Sequence, residues 1–335
     1  MQDAYLRGRA QVQLARQDPS KVRELELGRW FESPPHARAA RRVLSRVRSL
    51  AWKLDDDAAF WAGVRSEATP DEWRHLTRSR YVALYYHRLA GLHKPGQERL
   101  DVSPDRFSAQ MRLLKRLGFA PLSPDELVRF HRELGAVLPR RSIVITADDG
   151  FDDCVEPLLR NADVLPCLFV VTDAVGGTAS WVDDEALADW DSLERLERAG
   201  VGIGSHTRSH AVLDEVDPSR LAAELDGSAE ELRRRLSSPT TLLAYPHGKH
   251  DRAVRGAAAS AGYGAAFTTS PGANSAATDP FALRRVGVKE WDSPASFLWK
   301  AWLGRLLPPP WERLRLSLAR RRLRRRPSTS ARSDA

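Results

Sequence analysis

The chain has 335 residues, 42% of them hydrophobic, which suits one large domain with extensions or two modest ones. Its formal charge of +8 sits at the ends: residues 311–335 hold nine Arg against Glu312 and Asp334, residues 1–50 hold eleven Lys or Arg against five acids, and the stretch between is mildly acidic. A nucleic-acid enzyme concentrates its basic patch around the site, so that class is disfavoured. No apolar run approaches the roughly 20 residues needed to span a bilayer. The segment from Met1 to Arg7 has no apolar stretch of the signal-peptide kind. The expected compartment is the cytoplasm, with peripheral attachment at a membrane surface as a variant.

In chain order, residues 1–80 read as a helical extension. Arg38–Leu54 has apolar residues at helical spacing among arginines, and Thr69-Pro70 before Asp71-Glu72-Trp73 marks a helix start. This region carries no evident chemistry and reads as a packing or docking segment. From residue 81 the pattern becomes alternating. The expected strands are Tyr81–Tyr86, Ser142–Thr146, Pro166–Thr172, Val201–Ser205, Thr241–Tyr245, Tyr263–Thr268 and Leu283–Val288. The expected helices are Pro104–Leu117, Pro124–Leu134, Asp153–Asn161, Asp184–Ala199, Pro218–Leu236, Asp251–Ala261 and Pro294–Leu303. Alternation with buried strands implies an α/β fold with a parallel sheet. Seven such units over residues 81–305 suggest a closed or nearly closed seven-stranded (β/α) barrel, whose site forms at the C-terminal ends of the strands. Residues 306–335 form a basic tail: Trp311–Arg326 reads as an amphipathic helix and Pro327–Ala335 as a polar end. It suits an anionic membrane surface or simply a solvated, arginine-rich terminus. Cys154 and Cys167 lie in apolar surroundings and read as small core residues rather than ligands or a disulfide.

The polar clusters fall just after expected strands. Ser142–Thr146 runs into Ala147-Asp148-Asp149-Gly150. Two adjacent carboxylates at a strand end can divide their work, one binding a cation while its neighbour stays free as a base. A plain turn with an Asp helix cap is the alternative. Val201–Ser205 runs into His206-Thr207-Arg208-Ser209-His210. Two imidazoles four residues apart can share one face of a helical turn and bind one metal; by itself the spacing also suits core histidines. One carboxylate with two histidines leaves coordination positions open, as a catalytic centre requires. Tyr245-Pro246-His247-Gly248 makes a fixed turn whose backbone N–H can face an oxyanion, or simply an ordinary βα turn. His87, after the first strand, would point into the same mouth as a candidate general acid; a satisfied core or loop histidine is the alternative.

Together these segments resemble a known family. Thr146-Ala147-Asp148-Asp149-Gly150 is similar to the first motif of the NodB-type polysaccharide deacetylases, carbohydrate esterase family four, usually Thr-Phe-Asp-Asp-Gly. His206-Thr207-Arg208-Ser209-His210 matches the second, and Tyr245-Pro246-His247-Gly248 resembles the third. The resemblance covers roughly residues 81–305. It implies a distorted (β/α) barrel that hydrolyses N-acetyl groups, usually on an amino sugar of a glycan. It implies Asp148 as the base, a divalent metal, most often Zn2+, on Asp149, His206 and His210, and the His247 backbone N–H at the oxyanion. Ala147 replaces the usual Phe, and Ala244 stands where many members place an Arg that orients the base. The family's late Leu-x-x-His motif has no counterpart in Arg284-Arg285-Val286-Gly287-Val288, but Leu84-Tyr85-Tyr86-His87 has that pattern at the front. A subgroup resembling the biofilm-glycan deacetylases has this strand circularly permuted, which makes His87 the expected acid. Trp190 reads as structural. Trp181, Trp291 and Trp299 could stack on sugars or simply pack. Three further readings stand beside the deacetylase: a hydrolase of another non-peptide C–N bond, a degenerate carbohydrate-binding barrel, and a membrane- or nucleic-acid-binding protein driven by the basic ends.

Overall fold

The computed structural model describes residues 2–33, 35–45, 56–90 and 101–306. The second half of the helix expected over Arg38–Leu54 and, apart from Leu306, the basic tail lie outside the described residues. Before residue 80 the longer helices are Gln2–Gln17, Pro35–Leu44, Asp56–Glu67 and Pro70–Thr77. The last begins at Thr69, whose hydroxyl caps Glu72 while the Glu72 carboxylate caps Thr69 in return. No helix among the described residues is long and apolar enough to cross a membrane.

The strands are β1 (Arg80–Tyr86), β2 (Ala120–Pro121), β3 (Ser142–Ala147), β4 (Cys167–Val170), β5 (Thr178–Ala179), β6 (Glu185–Ala186), β7 (Gly202–Ser205), β8 (Leu242–Ala244), β9 (Ala265–Phe267), β10 (Ala273–Ser275) and β11 (Arg285–Gly287). β1, β3, β4, β7, β8 and β9 are neighbours in that order and all parallel. The other edge of β1 is shared: its first half pairs antiparallel with β10 and its second half parallel with β11. Leu283, just before β11, exchanges hydrogen bonds with Ala266 and Thr268 at 2.9 and 2.8 Å. The sheet thereby curls back on itself, and the seven strands expected from the alternating pattern form its wall.

Strand alternation sorts the side chains. Tyr81, Ala83, Val144, Cys167, Phe169, Leu242, Ala244, Ala265 and Phe267 pack in one cluster inside the wall. Val82, Leu84, Ile143, Ile145, Leu168 and Val170 pack outward against the helices. Gly204 belongs to the inner set for a steric reason: a Cβ there would lie 2.6 Å from the Phe169 ring. Both cysteines are free and buried, as expected.

One expected helix is shorter than its pattern. In place of Asp184–Ala199 the helix is Trp190–Arg198, capped by Asp189 on Ser192 N at 2.8 Å. Asp183 and Asp184 adopt left-handed φ of 43° and 52°, which ends any helix there. The chain instead forms the β5–β6 hairpin, with Trp181 in its turn.

The N-terminal helices pack around Trp30, Trp61 and Trp73, with Trp30 ring centroids 4.7 and 5.7 Å from the other two. This layer meets the barrel at the strands' N-terminal ends: Leu134 and Ala276 join its cluster, His75 Nδ1 lies 2.9 Å from Ala136 O, and Arg23 pairs with Asp279. It therefore closes the end opposite the polar clusters.

Candidate metal centre and catalytic site

β3 is buried along its whole length. Its ladder with β1 runs one step beyond the strand, Asp148 N donating to Tyr86 O at 3.0 Å. Asp148 therefore keeps the inward alternation of Val144 and Thr146. Asp149 and Gly150 then turn the chain with φ of 75° and 81°. The reversal puts the two neighbouring carboxylates in different surroundings, one below the mouth and one within it.

Asp149 meets both histidines. His206 Nε2 and His210 Nε2 each lie 3.3 Å from Asp149 Oδ1, and the three ligand atoms fall within 4.8 Å of one another. Residues 206–210 are not a helical turn, as the four-residue spacing suggested. Thr207 and His210 are left-handed, with φ of 67° and 62°. The loop folds the second imidazole back onto the first, with ring centroids 5.1 Å apart. His206 Nδ1 lies 2.7 Å from Ala244 O. As the donor in that bond, Nδ1 carries the proton and leaves the Nε2 lone pair facing Asp149. Lone pairs and a carboxylate oxygen directed at one point repel unless a cation lies among them, so the donor set fits a divalent metal with positions left open.

With protons rather than a cation on the two Nε2 atoms, burial still opposes ionisation of Asp149, but hydrogen bonds from His206 and His210 outweigh it and hold the carboxyl far below its ordinary value. Burial also opposes charge on His206; the Asp149 hydrogen bond and both carboxylates prevail and raise its pKa. At His210 burial wins and the pKa is lowered. Trp181 stacks flat on the His210 ring, centroids 4.4 Å apart at 10°, and the exposed His247 ring meets its edge at 5.1 Å. Trp181 thus packs, and what it packs against is one of the candidate ligands.

Asp148 is gripped from below. Arg285 Nη1 and Nη2 donate to its two oxygens at 2.6 and 2.8 Å. The guanidinium is fully buried, also donates to Thr146 Oγ1 and Thr268 O, and lies between the rings of Tyr85, Phe267 and Phe169. Burial pushes Asp148 toward protonation, but the Arg285 charge, with His206, holds it below its ordinary value. The family resemblance left Asp148 without its arginine at Ala244; here β11 supplies one. Arg285 is level with Ala83 on the neighbouring strand and lies inside the wall among these rings. Sequence reasoning passed over Arg285. The available signal was a cation in the inward phase of an otherwise apolar strand.

His87 follows β1 beside Asp148. Its half-buried ring packs edge-on to Tyr85 at 5.6 Å. The segment behind it is tied down by Asp153, which accepts from Arg88 Nε at 2.9 Å and Leu89 N at 3.3 Å. Burial lowers the His87 pKa against the pull of Asp149 and Asp148. Because β1 lies between β3 and β11, a strand from the front of the chain occupies the place between the last strand and the first of the others. His247, between β8 and the helix Arg252–Ser260, is left-handed at φ 56°, which turns its backbone N–H within the Pro246–Gly248 turn.

These features define a class: a parallel (β/α) barrel with an Asp-His-His centre at its mouth beside an arginine-paired carboxylate. Residues 136–266 match the polysaccharide deacetylase family, whose members hydrolyse carbon–nitrogen bonds other than peptide bonds. A curated relative, the Bacillus subtilis (strain 168) candidate polysaccharide deacetylase YxkH, is 24% identical over 266 residues, covering 78% of this chain and 87% of its own. Among solved structures, the Streptococcus pyogenes deacetylase PplD in complex with acetate has a TM-score of 0.59 at 24% identity, covering 66% of this chain and 98% of that one. IcaB from Ammonifex degensii has a TM-score of 0.55 at 21% identity, covering 67% and 97%. Both share the fold. His87 and Arg285 lie outside the matched residues, on the two strands that close the barrel.

Proposed function

We propose that this protein removes N-acetyl groups from an amino sugar of a polysaccharide or glycan precursor, with Asp149, His206 and His210 holding a divalent metal, zinc by preference. The barrel over residues 81–305 is the catalytic unit and the helical layer over residues 1–80 a packing element. The observation that carries the reading is the convergence of two imidazole Nε2 atoms on Asp149 Oδ1 beside a second carboxylate held ionised by Arg285.

A bound zinc would supply Lewis acidity toward a water molecule and the acetamide carbonyl. Asp148 takes the proton of the attacking water onto a carboxylate oxygen. The Arg285 fork keeps that carboxylate ionised and oriented before the reaction. The His247 backbone N–H donates to the oxygen on which charge develops. His87 delivers a proton to the departing nitrogen, so that acetate and a free amine result. Trp181 fixes the plane of His210 and walls one side of the centre.

The test pairs metal analysis with acetate release from a panel of N-acetylated glycans. The parent protein carries one metal per chain and releases acetate. Asp149→Ala loses both together. Asp148→Asn keeps the metal while turnover falls about 10²–10⁴-fold. Near-parental turnover in Asp148→Asn would refute the base, and turnover confined to small cyclic amides would refute the glycan.

A further inference from the structure

The loop between the two candidate histidine ligands is in a conformation it would not choose alone. Thr207 is β-branched, buried and left-handed, and His210 is left-handed as well. Four consecutive backbone N–H groups show what holds it. His206 N donates to Val170 O at 2.8 Å, and Thr207 N to Ser205 Oγ at 3.0 Å. Arg208 N and Ser209 N both donate to Glu224 Oε2, at 3.1 and 2.8 Å, while Ser209 Oγ donates to Glu224 Oε1.

Glu224 sits in the middle of the helix Pro218–Arg235 and is only 4% exposed. The Arg220 guanidinium reaches it at 4.0 Å from an exposed side chain. The Arg208 side chain turns away to Asp173 at 3.0 Å. The carboxylate is thus met at hydrogen-bond distance by two backbone amides and a hydroxyl, all from residues 208 and 209. Burying a carboxylate is costly unless it is well bonded, and this one directs its bonds to the segment between the ligands. One turn further along the helix, Ser228 accepts from Ser205 Oγ at 2.9 Å, so the helix grips the loop at two points.

We propose that Glu224 is a positioning residue that presets the His206–His210 spacing for the metal; the inference rests on the metal reading above. With Glu224 in place, the strain at Thr207 is held before any metal arrives. Without it, two amides lose their acceptor, Thr207 is free to return to negative φ, and His210 moves off Asp149.

The experiment uses the full chain, stripped with a chelator and titrated with Zn2+ against a competing chelating dye, each sample also being melted by circular dichroism. Glu224→Ala weakens Zn2+ binding about 10–100-fold while still melting cooperatively. Glu224→Gln keeps an oxygen for both amides and recovers most of the parental affinity. If Glu224→Ala does not fold, Glu224→Asp decides, because it keeps the charge but falls short of the loop; its affinity drops in the same direction. Parental affinity in a folded Glu224→Ala, or in Glu224→Asp where the Ala variant does not fold, overturns the inference, as does failure of Glu224→Gln to rescue. A parent protein that binds no Zn2+ defeats the metal reading itself, a different result from parental affinity in the variants.

Discussion

At the closed end of the barrel, His75 and His131 lie beneath the helical layer. His75 Nδ1 lies 2.9 Å from Ala136 O, His131 Nε2 lies 2.9 Å from the Tyr81 hydroxyl, and Phe130 packs against both rings. At the open end, His206 and His210 are enclosed to a similar degree, but both face Asp149. Burial is common to the two pairs; the shared carboxylate is not. With neutral partners, burial drives His131 down to about 3 and lowers His75, so both are uncharged packing groups. With the carboxylates, His206 is raised, while at His210 burial still prevails. A buried histidine therefore says little about function until its partner is known. The backbone differs too. Among the described residues eight non-glycine positions are left-handed, and Asp149, Thr207, His210 and His247, half of them, are at the mouth. Strain gathers where side chains must be aimed.

The comparison can be broken most forcefully at Arg285. Arg285→Met keeps much of the volume but leaves the Asp148 carboxylate buried without its cation. Stability should fall by about 3–5 kcal/mol, read by denaturant unfolding. Asp148 is held below its ordinary value in the folded protein. Its contribution to stability is therefore present above the unfolded value and is lost as pH falls through the lower folded one. In the variant burial loses its chief opponent, and the acid limb of kcat/KM moves to higher pH. An unmoved limb at parental stability would remove Arg285 from the site.

A smaller effect is expected at His87. His87→Asn should lower kcat/KM by about 10²-fold and flatten the alkaline limb, with metal content unchanged. An alkaline limb identical to the parent's excludes His87 as the acid.

The smallest effect sharpens the contrast from the closed end. His131 is neutral when folded and titrates at its ordinary 6.5 when unfolded. Between those values the unfolded chain binds more protons, so stability is fully present above 6.5 and declines as pH falls toward about 3. The slope from this group is at most ~1.4 kcal/mol per pH unit. His131→Phe should remove that slope in thermal melts taken across the range and leave kcat unchanged. A change in metal content would show that the two ends are not independent.

Much was legible along the chain because it is local. Alternating apolar runs marked the seven strands of the wall, and the Asp148-Asp149-Gly150 and His206–His210 clusters followed two of them. The β5–β6 hairpin was missed because the stretch before Trp190 has helical spacing while Asp183 and Asp184 turn left-handed. His75, His131 and Glu224 were also passed over, since nothing local separates a buried charge or ring from an exposed one.

Sequence alone determined which residue types stand at which strand ends, because a strand's alternation and the chemistry of Asp, His and Gly depend on neighbours a few positions away. Only the tertiary structure decided which of them meet. Arg285 reaches Asp148 across 137 residues because β11 and β3 flank the same strand. Glu224 holds a loop 15 residues earlier because its helix folds back over the loop's strand. The His206–His210 loop takes left-handed turns rather than the helical one its spacing allows, because the bonds its amides donate to Glu224, Ser205 and the neighbouring strand outweigh local backbone preference. Those contacts depend on closure of the barrel and packing of its helices, which no short window of sequence contains.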